Sequence, residues 1–413
     1  MSPQPTAPGP SRQAARDLGR ALRRAGRRVA RGALELTVRG AAAVSPSLAA
    51  APAEPRSLFV LRNNDVGDLL VVTPLFEALR RRFPEAWIAA GIGAWNHPVL
   101  QRNPHLSEVL QVNAPWFNKY RRRQGTLDRW LYLGGSPEVR ELARRRFEVG
   151  IDVLGSGWGS LLMLRAGIPY RLGVNGYAGG QTAVQAAVPF DPTAHVGRSA
   201  LRFAEILGAT SLPANRPQLF LSDAEREEGE RWWAAGEGGR RRARLVIGPG
   251  GGLAAKCWPP ESFAALAAGI SGLGDLTLLV TGGPRERELV AAVAAAAAAA
   301  GVETRSHAEP PDLRTVFTLV AASDLVVCNS SMLLHVAAAF GVPALVVLGR
   351  AFESAASHQA QWGYPGLCRS LGRETAADRD IWSPAEVIQA AREALAALRA
   401  ANPDRFAAAP ARR

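Results

Sequence analysis

Lysine and cysteine are both scarce in this 413-residue chain. The 49 basic residues include only two lysines, Lys119 and Lys256, and the rest are arginine. A chain that uses arginine wherever a positive charge suffices indicates that these two positions need a compact ammonium group. The three cysteines, at 257, 328 and 368, lie far apart and show no metal-ligand spacing. They favour a reducing, cytosolic compartment, and we expect no metal cofactor.

Long apolar runs are also missing. No stretch of 18 strongly apolar residues occurs, which argues against a membrane-spanning helix. The nearest approach, Ala291–Ala300, is mostly alanine, a strong helix former but a poor membrane anchor. The chain is nevertheless 47% hydrophobic, so it has enough apolar surface to fold. Its length predicts two domains, with a short tail over 401–413.

Positive charge is in excess, and it is unevenly distributed along the sequence. The net charge is +13, and residues 1–55 contribute about half of it through nine arginines and three acidic residues. Residues 12–36 could form a basic helix on an anionic membrane surface. Alternatively, residues 1–55 are a disordered arm that ends in an Ala/Pro linker over 41–55. No compact apolar segment follows the arginines, which argues against a signal peptide.

From residue 56 onward, short apolar runs alternate with helical patterns. This alternation predicts an α/β fold of two Rossmann-like domains, 56–215 and 216–400, with parallel sheets facing a central cleft. In such sheets, ligands bind beyond the carboxyl ends of the strands. The predicted strands are Ser57–Leu61, Ala86–Ala90, Glu108–Val112, Phe147–Leu154, Arg244–Ile247, Thr277–Val280, Asp324–Cys328 and Ala344–Leu348.

The turn after the first strand, Arg62–Asp68, carries two carboxylates. Gly67 permits close backbone approach, and Asp68 stands where a predicted helix begins that runs to Arg82. Asp68 is a candidate general base that removes a proton from an attacking hydroxyl. Asp65 competes for that role. The alternative is that Asp68 only caps the helix or complements its dipole.

The turn after the fifth strand is a glycine loop, 248–252, followed closely by Lys256. Backbone N–H groups of such a loop, chiefly those of Gly250 and Gly251, can cradle phosphate oxygens. Lys256 could place its ammonium on a diphosphate. The loop lacks the order of a Walker A or GxGxxG motif, so a plain turn is the alternative.

Two further turns contain polar residues at a strand end. In the first, Gly282 precedes Glu286 and Glu288, either of which could accept from a ribose hydroxyl or merely complement the helix dipole. In the second, hydroxyls and an amide at a helix N-terminus could bind an anion, and a histidine follows in an apolar helix. Its residues are Asn329, Ser330, Ser331 and His335. Ser331 could instead be a cap, and His335 a packed core residue.

Taken in order, these turns resemble glycosyltransferase family 9, the bacterial heptosyltransferases of lipopolysaccharide core assembly. The matching segments run from about Leu58 to Gly349. They are LFVLRNNDVGDLLVVTPLFEALRRRFPEAWI, FEVGIDVLGSGWGSLLMLRAGIPYRLGV, HVGRSALRFAEILG, IGPGGGLAAKCWPPESFAAL, TLLVTGGPRERE and DLVVCNSSMLLHVAAAFGVPALVVLG.

The resemblance implies the GT-B architecture and an inverting transfer from an ADP-activated sugar, with the donor held by the C-terminal half and the acceptor by the N-terminal half. It implies that Asp68 is the general base and that Lys256 contacts the donor phosphates. Glu286 or Glu288 then lies near the adenosine ribose. One departure is visible. The family's acidic donor contact is replaced by Ser330, and a nearby glycine is replaced by Met332.

The acceptor side is indicated by the segment 116–132, in which aromatic residues alternate with basic ones. We expect Arg62, Asn64, Lys119 and Arg122 to bind an anionic glycolipid such as the lipopolysaccharide core, although a solvated basic loop is the alternative. The resemblance therefore predicts a cytoplasmic enzyme, peripheral to the inner membrane, that uses ADP-heptose. The sequence leaves the oligomeric state open, with a monomer favoured.

Two other functions stay open at this point. The departure at Ser330 and Met332 is compatible with a non-catalytic or donor-switched relative. The pI near 10.8 is compatible with nucleic-acid binding. The concentration of charge on residues 1–55 disfavours the second of these.

Overall fold

A computed structural model describes residues 29–30, 32–235, 241–306, 312–375 and 381–406. Most of the predicted basic helix, 12–28, and the tail 407–413 lie outside the described residues. Residues 32–44 form helix α1, so the predicted linker over 41–55 is wrong at its start. Residues 41–43 are alanines, which extend a helix readily. Within the described ranges, no helix is both long and apolar enough to cross a membrane.

The first sheet has six strands in the order β3-β2-β1-β4-β5-β6. The pairs β1–β4, β2–β3, β4–β5 and β5–β6 are parallel. The central strands are buried along nearly their whole length, as parallel strands covered on both faces must be. The strands are β1 Ser57–Leu61, β2 Trp87–Ile92, β3 Glu108–Gln111, β4 Val149–Asp152, β5 Tyr170–Asn175 and β6 Ala186–Pro189.

The second sheet repeats this topology in the order β12-β11-β10-β7-β8-β9, with parallel pairing throughout. In both sheets the strand order reverses beside the first strand, as in Rossmann folds, and ligands bind at that switch point. The strands are β7 Ala243–Gly248, β8 Leu276–Val280, β9 Glu303–Ser306, β10 Leu325–Cys328, β11 Ala344–Val347 and β12 Cys368–Leu371. The predicted α/β class with two parallel sheets is confirmed.

Most of the helices connect successive strands. They are α1 (32–44), α2 Val66–Leu70, α3 Pro74–Arg82, α4 His97–Leu100, α5 Thr126–Gly135, α6 Pro137–Arg145, α7 Gly157–Arg165, α8 Val196–Ile206, α9 Asp223–Ala234, α10 Pro260–Gly269, α11 Arg287–Ala299, α12 Leu313–Ala321, α13 Met332–Phe340, α14 Ala355–Trp362, α15 Pro384–Ala401 and α16 Pro403–Phe406. Short 3-10 helices cover Ala94–Asn96, Gln181–Ala183, Ala254–Lys256, Ile270–Leu273 and Pro284–Glu286.

One helix prediction is wrong in its extent. The helix expected to run unbroken from the Arg62–Asp68 turn to Arg82 is divided into α2 and α3. Pro74 stands at the first position of α3 and has no N–H to donate to the carbonyl of Leu70, four residues earlier. The short α2 therefore ends before α3 begins, and the turn after β1 has its own small helix.

The described chain forms two compact units. The first contains the residues up to Leu61 together with Gln124–Phe190, and the second contains Arg62–Arg123 and the residues from Asp191 onward. A large apolar core lies in the second unit between its sheet and α10, α11 and α15, with Trp258, Phe263 and Leu266 almost completely buried. The domain limits expected from the sequence, 56–215 and 216–400, stay a prediction.

Candidate active site

The glycine loop after β7 lies at the switch point of the second sheet, and Asn329 after β10 fixes its shape. The Asn329 amide nitrogen donates to the carbonyl oxygens of Pro249 (2.7 Å) and Gly250 (3.1 Å). Its amide oxygen accepts from the backbone N–H of Trp258 at 2.8 Å. Asn329 is 1% exposed, so its amide is occupied inside the protein. Asn329, predicted to bind the donor, therefore shapes the loop.

Glu286 packs against this loop, and Glu288 does not. A Cβ atom added to Gly250 would overlap the Glu286 carboxylate, so glycine is required there for the two to approach. The carboxylate also accepts from the backbone N–H of Gly283 at 2.7 Å. Glu288 lies on the first turn of α11 and is exposed. Of the two predicted ribose contacts, the geometry therefore favours Glu286, whose carboxylate lies close to both Gly282 and Gly250.

Lys256 ends a short 3-10 helix directly after the loop and is exposed. Its backbone carbonyl accepts from Gly349 N–H at 3.1 Å, which holds the segment beside the end of β11. Its ammonium lies 5.4 Å from the centre of the Phe352 ring, and among the described residues no carboxylate pairs with it. A positive charge is therefore available next to the glycine loop for an anionic ligand.

Ser330, the residue that replaces the family's acidic contact, begins a chain of hydrogen bonds. The Ser330 hydroxyl lies 2.8 Å from Nε2 of His358, and Nδ1 of His358 lies 2.7 Å from the Ser370 hydroxyl. The amide oxygen of Gln359 accepts from both the Ser370 hydroxyl (2.8 Å) and the Ser370 backbone N–H (2.9 Å). Gln359 in turn donates to the carbonyl of Cys368 at 3.1 Å.

The direction in which protons are donated along these hydrogen bonds follows from the last residue of the series, Gln359. Because the Ser370 proton goes to Gln359, the Ser370 oxygen accepts from Nδ1–H of His358. Burial lowers the pKa of His358 to about 4, with a smaller contribution from the Lys256 charge, so the ring is neutral at pH 7. Its Nε2 is then an acceptor, and it takes the Ser330 proton. The Ser330 oxygen consequently presents only lone pairs to its other neighbours.

The turn after β1 separates its two carboxylates. Asp65 is the N-cap residue of α2, without a side-chain cap hydrogen bond, and Asp68 lies three positions later in the first turn. The Asp68 carboxylate lies 3.5 Å from the guanidinium of Arg62, which is itself almost fully buried. The Asp65 carboxylate instead accepts from the backbone N–H of Lys119 at 3.2 Å and lies 3.7 Å from its ammonium. Asp68 therefore does not act as the side-chain cap of α2.

Helices α2 and α13 meet at their first turns. A Cβ atom added to Gly67 would lie 3.4 Å from Cδ2 of His335 and 3.6 Å from Cα of Met332. Ser331 is the N-cap residue of α13, but its side chain makes no cap hydrogen bond. The carboxylate turn after β1 and the hydroxyl turn after β10 thus come together within the second compact unit, with Gly67 at the contact.

His335 is buried in that contact. It is 5% exposed, and its Nδ1 lies 2.7 Å from the hydroxyl of Tyr364. Burial, with smaller contributions from nearby His195 and His358, lowers the pKa of His335 to about 3. Burial also lowers the pKa of His195 to about 4. These contacts are those of a packed, neutral core histidine that positions the start of α13.

The basic segment around Lys119 lies close to both the Asp65 carboxylate and the glycine loop 248–252. Lys119 Nζ would lie 4.0 Å from a Cβ atom added to Gly252. Tyr120 stacks on Trp95 at 4.9 Å, and burial together with the negative charge of Asp65 raises its pKa to about 12. Asn64 holds the segment by donating to the Phe117 carbonyl at 2.7 Å. Arg122 is exposed and lies outside these contacts.

Two residues of the site, His358 and Tyr364, were not predicted from the sequence, and Tyr120 was covered only as part of the aromatic and basic segment 116–132. Neither His358 nor Tyr364 belongs to a turn at the end of a predicted strand. His358 lies on α14 and Tyr364 just beyond it. Across the described ranges, no group of three His, Cys, Asp or Glu side chains is arranged to hold a metal ion.

Comparison with known proteins gives the following matches. The family model for glycosyltransferase family 9 (heptosyltransferase) matches residues 139–354, just over half of the chain. The chain is 26% identical to lipopolysaccharide heptosyltransferase 2 of Escherichia coli (strain K12) over 327 residues, which are 74% of this chain and 86% of that protein. It is also 26% identical over 325 residues to the Salmonella typhimurium protein of the same name, again with 74% and 86% coverage.

Solved structures agree on the fold. A glycosyltransferase family 9 protein from Veillonella parvula superposes with a TM-score of 0.67 at 19% identity, covering 85% of this chain and all of the other. The E. coli ADP-heptose lps heptosyltransferase II gives a TM-score of 0.63 at 21% identity, covering 84% of this chain and 99% of the other. These likenesses confirm the predicted GT-B type of fold.

Proposed function

Because the chain belongs to glycosyltransferase family 9, and is thus a glycosyltransferase, we propose that it transfers heptose from ADP-heptose to a lipopolysaccharide-core or related glycan acceptor. Asp68 is the general base in this proposal, and the transfer inverts the configuration at the anomeric carbon. The acceptor hydroxyl loses its proton to Asp68 as its oxygen bonds to that carbon, and the bond to the diphosphate breaks. The negative charge leaves with ADP.

The observation that supports this assignment most directly is the position of Asp68. Its carboxylate lies in the first turn of α2 beside the guanidinium of Arg62 (3.5 Å) and is about one-third exposed. A general base must reach the substrate, and this carboxylate is accessible while it contacts the buried guanidinium of Arg62. Asp65 is the weaker candidate, because Lys119 already occupies its carboxylate. Asp68 is also at the point where α2 meets α13.

The donor diphosphate is assigned to the loop after β7. Backbone N–H groups of Gly250 and Gly251 and the unpaired ammonium of Lys256 are suited to the charge that develops on a leaving diphosphate. Glu286, beside Gly250, is suited to the ribose hydroxyls. No metal ion is required in this arrangement, since Lys256 and the loop supply the positive charge and the N–H donors.

Ser330 is assigned to a hydroxyl of the donor sugar. A serine whose proton is committed to His358 accepts hydrogen bonds as a carboxylate does, but without its charge. This supports continued donor binding despite the loss of the family's acidic residue. The hydrogen bond between Ser330 and His358 therefore does not favour the alternative that the protein is a non-catalytic relative.

The acceptor side is assigned to Arg62, Asn64, Lys119 and Arg122. An anionic glycolipid fits this basic set, and the curated relatives carry lipopolysaccharide in their names. A lipid-linked acceptor implies that the enzyme works in the cytoplasm, at the inner-membrane surface. We propose that it does so as a monomer, because all of these candidate residues belong to one compact unit of one chain.

A panel of nucleotide sugars tests the proposal. Purified protein is offered ADP-heptose, ADP-glucose, UDP-glucose and GDP-mannose, with a soluble core oligosaccharide as acceptor, and products are identified by mass spectrometry. We expect transfer from ADP-heptose and an inverted anomeric configuration by NMR. Transfer from a UDP- or GDP-sugar alone would contradict the donor assignment. Release of ADP without glycosylated product would contradict the acceptor assignment.

A further inference from the structure

One side of helix α5, in the first compact unit, is apolar and faces solvent. Leu127, Trp130 and Leu131 are 70%, 40% and 63% exposed. Their spacing of three and four residues places them on a single face of the helix. Leu133, on the opposite side, is buried and anchors the helix to its unit. We call the three exposed residues the α5 face.

The α5 face has a fixed orientation. The indole of Trp130 packs edge-on against the buried Trp158 at 5.2 Å between ring centres. The guanidinium of Arg129 lies over the same Trp158 ring at 5.3 Å. An exposed apolar face on a well-anchored helix is uncommon on a soluble protein and indicates a contact surface.

A basic cavity continues this face at its C-terminal end. The cavity has a volume of about 220 Å³ and is lined by Leu133, Gly134, Val139, Arg140, Ala143, Arg144 and Arg165. Gly134 lies one turn beyond Trp130 and Leu131, on the same side of the helix. We call Arg140, Arg144 and Arg165 the arginine cluster.

The arginine cluster has more positive charge than its surroundings neutralise. Arg144 pairs with Glu141 at 3.3 Å. Arg140 donates to the backbone carbonyl of Gly135 at 2.6 Å. In the part of the chain that the structure describes, no carboxylate pairs with Arg165, which is exposed. The cluster is therefore suited to an anionic group such as a phosphate.

These two features together select an occupant. Leucine and tryptophan on one helix face, bordered by arginines, are the combination found where helices lie in the interface of an anionic bilayer. A second copy of the chain fits the surface less well, because a self-paired contact would desolvate the arginine cluster without supplying enough carboxylates. We propose that the α5 face docks on an anionic lipid bilayer and that the arginine cluster binds a lipid phosphate.

The purpose of this lipid contact, to hold the enzyme beside a lipid-linked acceptor, rests on the proposed function. The lipid contact itself depends only on the α5 face and the arginine cluster. It also differs from the contact expected for residues 1–55, since it belongs to the folded unit. The two contributions can be separated because every variant below keeps those residues unchanged.

Vesicle binding of the full chain tests the proposal. Co-sedimentation with phosphatidylglycerol/phosphatidylcholine vesicles is compared between wild type, L127E/L131E and R140Q/R165Q. We expect each double variant to bind at least about tenfold more weakly, because it loses apolar insertion or two interfacial charges. Matched controls remove the same groups elsewhere. I206E changes an aliphatic side chain that is 40% exposed on α8, and R226Q/R231Q removes two charges from α9. Both controls should bind like wild type.

Trp130 gives a second readout. Vesicles of brominated phosphatidylglycerol should quench part of the tryptophan fluorescence of wild type, and Trp130→Phe should reduce that quenched fraction. Wild-type binding by L127E/L131E would overturn the proposal, as would equal losses in both controls. A dimer that L127E/L131E dissociates in sedimentation velocity would also overturn it, by showing that the face binds a second copy.

Activity on a soluble acceptor separates this proposal from the proposed function. We expect R140Q/R165Q, which lies outside the acceptor-side segment 116–132, to keep wild-type transfer to a soluble core oligosaccharide and to lose transfer to vesicle-embedded acceptor. Equal transfer to both acceptors would overturn the docking surface. If wild type transfers to neither acceptor, the proposed function fails, while the binding comparison still decides the lipid contact.

Discussion

Nε2 of His358 lies 2.8 Å from the hydroxyl oxygen of Ser330, and this distance determines what Ser330 can offer a ligand. The other ring nitrogen donates to Ser370, so Nε2 can only accept while the ring is neutral. The Ser330 proton is consequently directed inward, and its lone pairs are left for the donor site. A serine in this environment reproduces the acceptor function of a carboxylate.

Replacing Ser330 with alanine removes that acceptor. We expect KM for the sugar nucleotide to rise about five- to tenfold, the effect of one hydrogen bond of about 1–1.5 kcal/mol, with a smaller change in kcat. Ser330→Asp keeps an acceptor and should stay close to wild type. Steady-state kinetics with varied donor measures both. Ser271→Ala, which removes an exposed serine hydroxyl, is the control.

The same position tests whether the wild type is catalytic at all. Ser330→Asp combined with Met332→Gly restores both residues that the family usually has. We expect wild type and this double variant to differ less than tenfold in kcat/KM, because the serine already supplies an acceptor. Turnover that appears only in the double variant would contradict the Ser330 assignment and favour a non-catalytic relative.

Asp68→Asn should remove the general base while preserving the local geometry. Asparagine is nearly isosteric and can still contact Arg62, but it cannot take a proton from the acceptor. We expect kcat to fall by about 10²–10⁴, the usual contribution of general base catalysis, with ADP affinity unchanged in calorimetry.

Asp65→Asn is the matched control for that variant, since Asp65 lies in the same turn and contacts Lys119. It should lower kcat by less than about tenfold. Equal losses in the two variants would show that the turn, and not the Asp68 carboxylate, is what the reaction needs.

Lys256→Ala should weaken ADP binding by about ten- to a hundredfold, because a hydrogen bond from a charged donor to a phosphate is worth about 1.5–3 kcal/mol. Titration calorimetry with ADP measures this change directly. Lys256→Arg keeps the charge but not the compact ammonium, and we expect only partial recovery. Full recovery with arginine would contradict the inference drawn from lysine scarcity.

Much of the fold could be predicted because its central strands are continuous apolar runs. The predicted strands include β1, β7, β8 and β10, which are buried on both faces. Sequence reasoning missed β5, β6, β9 and β12. Of these, β6, β9 and β12 lie at an edge of their sheet and are short and partly exposed, so they have no buried apolar run to recognise. Strand β5 is an inner strand, but Arg171 and Gly173 interrupt its apolar residues.

The candidate site was predictable where it follows strand ends and not where it depends on tertiary contact. The turns after β1, β7, β8 and β10 were found because parallel strands direct their carboxyl ends toward one edge. The partners of the turn after β10, His358 and Tyr364, come from α14 and the segment after it. No local pattern marks them, because their importance arises from reaching Ser330 and His335 across the fold.

Two buried histidines, His335 and His358, and the partly buried His195 should make the protein sensitive to acid. Burial holds the pKa of His335 at about 3 and those of His195 and His358 at about 4. In the unfolded chain they titrate near 6.5, so below that pH the unfolded state binds more protons than the folded state. Stability is therefore fully present above about pH 6.5 and declines as pH falls toward 4.

Chemical denaturation at pH 7.5 and pH 5.5 measures this loss. At pH 5.5 each histidine should lower the free energy of unfolding by about 1.4 kcal/mol, or about 4 kcal/mol for the three. His358→Gln should reduce the pH-dependent loss by about 1.4 kcal/mol, because one group no longer has to stay neutral in the folded state. His97→Gln, at an exposed histidine on α4, is the matched control. Equal stability at the two pH values would mean that these rings are protonated in the fold, and the Ser330 hydroxyl would then lose its acceptor at Nε2.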